Sequence, residues 1–197
     1  MSKTTRSEFH DFKIVLVRHG QASGEERPGE LGAPLTSLGE KQAARVAKRL
    51  AKEHFTHIYT SDLSRAYYTG LAIRHFHPST PFTVTASLRE IRGFMNQPGR
   101  APGGKAVQED IRKRRAEIKE FARQILSEHT WDDQILIAAH GNLIRFLVST
   151  LAGVNPKTAV LFKTSNTSVH EVIIQNGRFL WLYRTNDVHH LLPQQIT

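Results

Sequence analysis

The sequence predicts an α/β fold in one domain, built on a mostly parallel sheet with an antiparallel hairpin at one edge. Two short apolar runs, Ile14–Val17 and Gln134–Ala139, have the continuous pattern of strands covered on both faces. Segments with helical spacing of apolar residues separate the strand-like runs, as parallel strands require. Near the end, Val169–Ile174 and Arg178–Tyr183 flank Asn176-Gly177, the strongest short hairpin signal in the chain.

Composition bounds the rest. The 197 residues are 39% hydrophobic, enough to bury a real core in a single domain spanning 1–197. No linker, repeat or low-complexity tract divides the chain. It has no cysteine, which excludes disulfides and thiol catalysis. Its polar start lacks the apolar segment of a signal peptide, and no run is long enough to cross a membrane. A cytoplasmic protein with no membrane partner is the expectation. The net charge of +9 implies attraction to anions. The densest basic run, Arg112 to Arg115, lies in a helical pattern with Ile111, Ile118, Phe121 and Ile125 on one face, and reads as a solvated helix surface. Basic and aromatic residues are not interleaved as a nucleic-acid platform would need.

Taken in order, the first strand stops abruptly at Arg18-His19-Gly20, and the carboxyl end of a central strand is where open α/β sheets bind ligands. Gln21 to Pro34 follows as an irregular loop beside that end. Thr36 or Ser37 caps the next helix, with Ser37 and Glu40 as a capping box and Ala43, Val46, Ala47, Leu50 and Ala51 on its buried face. A strand over His57–Thr60 leads to Ser61-Asp62, a cap for a helix running to about Phe76. Arg65 lies in that helix's first turn, where the macrodipole disfavours a cation by roughly 0.3–1 kcal/mol unless an anion is bound. Without one, Arg65 is expected to pair with Asp62.

Pro81–Thr85 reads as a strand, and Ser87 to Ile91 leads into a Pro/Gly-rich loop. Within it, Gly99 to Lys105 has P-loop spacing, but no apolar strand precedes it and Ala106 stands where a magnesium-binding Ser or Thr is needed. A long helix over Lys105–Glu128 precedes the strand Gln134–Ala139, which ends in His140-Gly141-Asn142. Leu143–Ala152 reads as an apolar helix capped by Asn142 and ended by Gly153. His140 therefore sits at a strand–helix junction, a ready anion site. His75, His77, His189 and His190 have no carboxylate or third histidine at ligand spacing, so no metal is expected.

Arg18, His19, Arg65, Glu90 and His140 thus stand at strand ends above one edge of the sheet. With their neighbours, Leu16-Val17-Arg18-His19-Gly20-Gln21-Ala22, Leu35 to Ala43, Ser61-Asp62-Leu63-Ser64-Arg65-Ala66, Leu88-Arg89-Glu90-Ile91 and Ala139-His140-Gly141-Asn142, the chain resembles the histidine phosphatase superfamily, also called phosphoglycerate mutase-like. Asn166-Thr167-Ser168-Val169 and Asn186-Asp187 before His189-His190-Leu191 extend the likeness, which runs from about Lys13 to Leu191.

The resemblance implies a three-layer α/β/α sandwich and metal-free, cofactor-free catalysis through a phosphohistidine. Carried over by position, His19 is the nucleophile, Arg18, Arg65 and His140 hold the phosphoryl oxygens, and Glu90 is general acid and then base. Phosphate contacts are expected from Arg18, Gly20, Gln21, Ser23, Arg65, His140, Gly141 and Asn142. Many members continue after Arg-His-Gly with Glu, Thr or Ser, and carry an Asn a few residues on. Here Gln21, Ala22 and Glu25 stand at those positions, so Gln21 or Ser23 is expected to supply the neutral donor.

Mutases of this family carry a longer insertion between the acid/base Glu and the second catalytic His. Here Glu90 to His140 is largely filled by one helix, which favours hydrolysis of a small phosphorylated substrate or a phosphoprotein. Phosphoryl transfer of the mutase type is the alternative. A non-catalytic binder of anions or nucleic acid is disfavoured by retention of all five chemical residues. Arg89, Arg92, Arg100 and Lys105 are candidates for a second anionic group.

Overall fold

The structure is a computed structural model describing residues 11–25, 29–91, 104–130, 132–154, 162–175 and 179–197. Six strands form one sheet: β1 (Asp11–Arg18), β2 (His57–Ser61), β3 (Phe82–Thr85), β4 (Gln134–Ala139), β5 (Val169–Gln175) and β6 (Phe179–Asp187). Their order is β3-β2-β4-β1-β5-β6. The first four in that order run parallel, β5 is antiparallel to β1, and β6 is antiparallel to β5. The mostly parallel sheet with an antiparallel edge pair is therefore as expected. The Asn176-Gly177 turn and most of the Pro/Gly-rich loop, including Arg92 and Arg100, lie outside the described residues.

Both faces of the sheet are covered by helices. Phe12, Ile14, Leu16, Ile135, Ile137 and Ala139 point to one face, where they pack against α3 (Lys105–Glu128) and α4 (Gly141–Leu151). Val15, Val17, Leu136 and Ala138 point to the other, against α1 (Ser37–Leu50) and residues near α2 (Ser64–Arg74). Neighbouring residues on β1 and β4 alternate between the two cores, which is why these strands are apolar at successive positions. Full burial of each large aliphatic side chain stabilises the fold by roughly 1.5–3 kcal/mol.

The starts of two helices differ from the sequence reading, and that of α1 matches one of its two expected caps. Thr36 is the cap of α1, accepting a hydrogen bond from Gly39 N, worth about 1 kcal/mol; Ser37 is already inside the helix. Ser61 ends β2, and α2 begins after Leu63 without a side-chain cap. His140, not Asn142, is the cap residue of α4, because a distant carboxylate supplies the capping acceptor, described below. The buried face of α3 is as expected, with Ile111, Ile118, Phe121 and Ile125 inside. Its basic run is not uniformly solvated: the side chain of Arg112 is 79% exposed and that of Arg114 only 11%. The Arg114 guanidinium is drawn inward by the carbonyls of Ser87 and Arg89.

Candidate active site

β1 and β4 are adjacent and parallel, with Arg18 opposite Ala139. Their ends therefore deliver Arg18, His19 and His140 to the same edge of the sheet. The rings of His19 and His140 lie 5.0 Å apart, edge to face. α2 begins at the end of the neighbouring strand β2 and brings Arg65, whose Nε donates to His19 Nε2 at 3.2 Å. The 3₁₀ turn Ala86–Leu88 after β3 leads to Glu90. The structure thus brings together all five residues singled out in the sequence.

The protonation of His19 follows from its partners. Nδ1 lies 2.7 Å from the carbonyl oxygen of Gly20, which can only accept, so Nδ1 carries the proton. Nε2 receives the Arg65 donor and presents its lone pair. The residue is 7% exposed. Burial, then the charges of Arg18 and Arg65, lower its pKa to about 3, against the Gly20 hydrogen bond. The environment therefore favours the neutral ring.

Gly20 is required here by close approach. A Cβ at Gly20 would lie 2.5 Å from Gly39 O, and one at Gly39 would lie 2.0 Å from Gln21 O. The two glycines let the start of α1 pack directly against the loop that follows His19.

His140 is fully buried. Its Nε2 lies 3.0 Å from Ser61 Oγ, which already accepts Leu63 N. The ring tautomer of His140 sets the direction of its bond to this hydroxyl. Nδ1 is buried without a hydrogen-bond partner, as is Nε of Arg18. Arg18 is otherwise anchored through Nη1 to Thr164 O at 2.6 Å. Burial lowers the pKa of both groups, and for His140 the nearby His19, Arg65 and Arg18 add to the effect. Orphaned polar nitrogens amid crowded positive charge are costly without an anion.

Glu90 fills the anion site expected at the start of α4. Its Oε1 accepts from Ile91 N at 3.0 Å and Leu143 N at 3.1 Å, and its Oε2 from Asn142 N at 3.4 Å. Burial raises its pKa, opposed by these backbone donors and by Arg18. The result is a carboxyl group fixed in position yet easier to protonate than a free one.

Several expected phosphate contacts are occupied elsewhere. Gly20 N donates to Thr69 Oγ1 and Gln21 N to Gln42 Oε1. The Gln21 side-chain carbonyl accepts from Thr36, and Ser23 Oγ donates to Glu25 O. Asn142 donates to Ile91 O and accepts from Arg145, so it braces the Glu90 segment. Gly141 is backbone packed against Thr164 and Arg18. Asp62 pairs with Arg89 through a forked contact of 2.6–3.1 Å rather than with Arg65. A pocket of about 410 Å³ lies beside Arg65 and Glu90, its other charged lining residues being Glu30, Arg89, Asp110 and Arg114.

Ser61, Thr69, Gln42, Thr164 and Asn166 support the site through bonds that only the fold brings together. Of these, the sequence marked Ser61 as a cap and Gln42 and Asn166 within motifs, without assigning either of the latter a role.

Known proteins resemble this chain in sequence and in fold. The profile of the histidine phosphatase superfamily (branch 1) matches residues 14–97 and 92–187. The chain belongs to the histidine phosphatase superfamily. A relative from Yersinia enterocolitica, named "Probable phosphoglycerate mutase GpmB", is 28% identical over 211 residues, covering 91% of this chain and 95% of the relative. Among solved structures, mycobacterial glucosyl-3-phosphoglycerate phosphatase superposes with a TM-score of 0.72 at 23% identity, over 90% of this chain and 100% of the other. A phosphoserine phosphatase from Entamoeba histolytica gives 0.66 at 21% identity, over 92% and 100%. Both structures share the fold of this histidine phosphatase superfamily member.

Proposed function

We propose that the protein is a phosphomonoester hydrolase acting through a phosphohistidine on His19. The observation that carries this reading is the single tautomer of His19, with Nδ1 committed to Gly20 O and the Nε2 lone pair beside Arg65.

In the first half-reaction the Nε2 lone pair attacks phosphorus, an N–P bond forms, and the bond to the leaving oxygen breaks. Protonated Glu90 gives its proton to that oxygen. In the second, Glu90 takes a proton from water as the water oxygen attacks phosphorus. The N–P bond breaks and inorganic phosphate leaves. Arg18, Arg65 and His140 neutralise the charge on the phosphoryl oxygens, each worth roughly 3–4 kcal/mol by analogy with an oxyanion-hole donor. This donor set supplies the neutralisation that a divalent cation supplies elsewhere.

A small phosphorylated metabolite suits a pocket of about 410 Å³. The structural neighbours, named for glucosyl-3-phosphoglycerate and phosphoserine, are in keeping with that class. The GpmB relatives favour a second reading, mutase-type phosphoryl return to a phosphoglycerate.

The test is hydrolysis of an aryl phosphate in excess chelator by wild type and His19→Ala. Turnover that persists in chelator and vanishes in the variant supports the proposal. Equal turnover in both proteins would remove His19 from the nucleophile role. Phosphoryl exchange between phosphoglycerate isomers with little release of phosphate would select the mutase reading.

A further inference from the structure

Beyond the five chemical residues, a closed run of hydrogen bonds links the two ends of the His19-Gly20-Gln21 backbone. Gln21 N donates to Gln42 Oε1 at 2.7 Å. Gln42 Nε2 donates to Thr197 Oγ1 at 3.1 Å and to Gln195 O at 2.6 Å. Thr197 Oγ1 donates to Asn166 Oδ1 at 3.0 Å, and Asn166 Nδ2 donates to His19 O at 2.9 Å. The backbone N of Asn166 adds a bond to Thr197 O, also at 2.9 Å.

The directions are mutually determined. A backbone N–H must meet the oxygen of Gln42, and a backbone carbonyl must meet the nitrogen of Asn166, so both amide orientations are set. Thr197 then has to accept from one and donate to the other, which a hydroxyl does and a methyl cannot. Gln42 and Asn166 are both buried, so neither amide can exchange its partner for bulk water at low cost.

The purpose of such bracing is visible at Gly20. His19 Nδ1 donates to Gly20 O, and this bond, together with the Arg65 donor to Nε2, selects the tautomer that leaves the lone pair on Nε2. Rotation of the Gly20 peptide would release that proton, and glycine has little intrinsic resistance to rotation. Thr69 holds the amide of Gly20. Thr167 N, from a left-handed residue with φ 53°, is a second donor to His19 O.

We infer that Gln42, Asn166 and Thr197 are positioning residues for the nucleophile, forming a strap that fixes the Gly20 carbonyl and thereby the tautomer and aim of His19. This rests on His19 being the nucleophile, as proposed above. None of the three touches the reacting atoms.

The test compares Thr197→Val, which deletes the hydroxyl at constant shape, with Thr197→Ser, which keeps it. Thr197 is surface-exposed, so both variants should fold, and melting curves would verify this. For aryl phosphate hydrolysis, Thr197→Val is expected to lower kcat about tenfold at unchanged KM, and Thr197→Ser to restore it. Ring nitrogen NMR of His19 is expected to show one Nδ1–H tautomer in wild type and Thr197→Ser, and a mixture in Thr197→Val. Asn166→Asp, which keeps the acceptor and loses the donor to His19 O, should behave like Thr197→Val. Wild-type kcat and an unchanged tautomer in a well-folded Thr197→Val would overturn the inference. So would a loss of activity matched only by a lower melting temperature. A wild type without hydrolytic activity would instead count against the phosphatase reading, while the tautomer comparison would still decide the strap.

Discussion

The molecule contains two clusters of histidine, arginine and carboxylate, and they resolve their charges differently. In the first, Glu90 gives its oxygens to three backbone N–H groups, leaving Arg18 Nε and His140 Nδ1 buried without partners. In the second, at the end of β6, Asp187 gathers the nearby cations. It accepts from Arg49, from Arg184 at 2.9 Å and from His189 at 2.7 Å. Its pKa is lowered because Arg49 and His189 donate to it, against the opposing effect of burial. His190 is held between Arg49 and Thr167. Similar residue types thus build one cluster whose carboxylate is committed to backbone donors and one whose carboxylate binds the cations directly. The first is the site we propose for a phosphoryl group, and the second holds the β6 end to α1.

The largest effect expected from this contrast is at the nucleophile. His19→Ala should reduce turnover by about 10⁴-fold or more with little change in melting temperature, measured by steady-state kinetics and calorimetry. A fall within tenfold would place the chemistry elsewhere.

Glu90→Gln comes next, with a loss of about 10²–10⁴-fold. The loss should shrink for aryl phosphates whose leaving groups need no proton. Because the carboxyl must be protonated to act as the acid and its pKa is raised, wild-type kcat/KM should fall as pH rises through that pKa. The glutamine variant should lack this limb, and an identical profile in both would exclude Glu90 as the acid.

Asp187→Asn sharpens the comparison from the other side. It should cost about 2 kcal/mol of stability, because it weakens hydrogen bonds between charged groups, while KM for the phosphoester stays at the wild-type value. A raised KM with unchanged stability would assign this cluster to substrate binding.

A further effect concerns pH and stability. The folded-state pKa values of His19, His170 and His190 are lowered to about 3, 4 and 4, and that of His140 is lowered as well. Above the ordinary histidine value of 6.5 both states are neutral and the four groups contribute nothing to the pH dependence. Below it the unfolded chain binds protons that the folded chain refuses, so stability declines from pH 6.5 toward pH 4. Thermal melts across that range should show a falling midpoint, and a rising one would contradict these environments.

What the sequence made legible was whatever a local pattern encodes. The strand Gln134–Ala139 and the helix Lys105–Glu128 have the bounds that apolar spacing indicated. Arg18, His19 and His140 stood out as abrupt polar stops to buried apolar runs, whereas the roles expected of Arg65 and Glu90 came from the family resemblance. The misreadings share one physical origin, which is a partner distant in sequence. Asn142 looks like a cap, yet Glu90 supplies the acceptor from 53 positions before Leu143. Arg114 looks solvated until the carbonyls of Ser87 and Arg89 stand beside it. Gln21 looks available for phosphate until Gln42 and Thr36 take its amide and side-chain oxygen. No local rule joins Gln42, Asn166 and Thr197.

The most direct test of the central claim is chemical trapping of the intermediate. Wild-type protein mixed with a phosphoryl-labelled substrate and quenched in alkali should carry base-stable, acid-labile label on the peptide containing His19. The phosphoryl group should be on Nε2, and the label should be absent from His19→Ala. Rapid turnover without any trapped label, or label on a peptide other than that of His19, would contradict it.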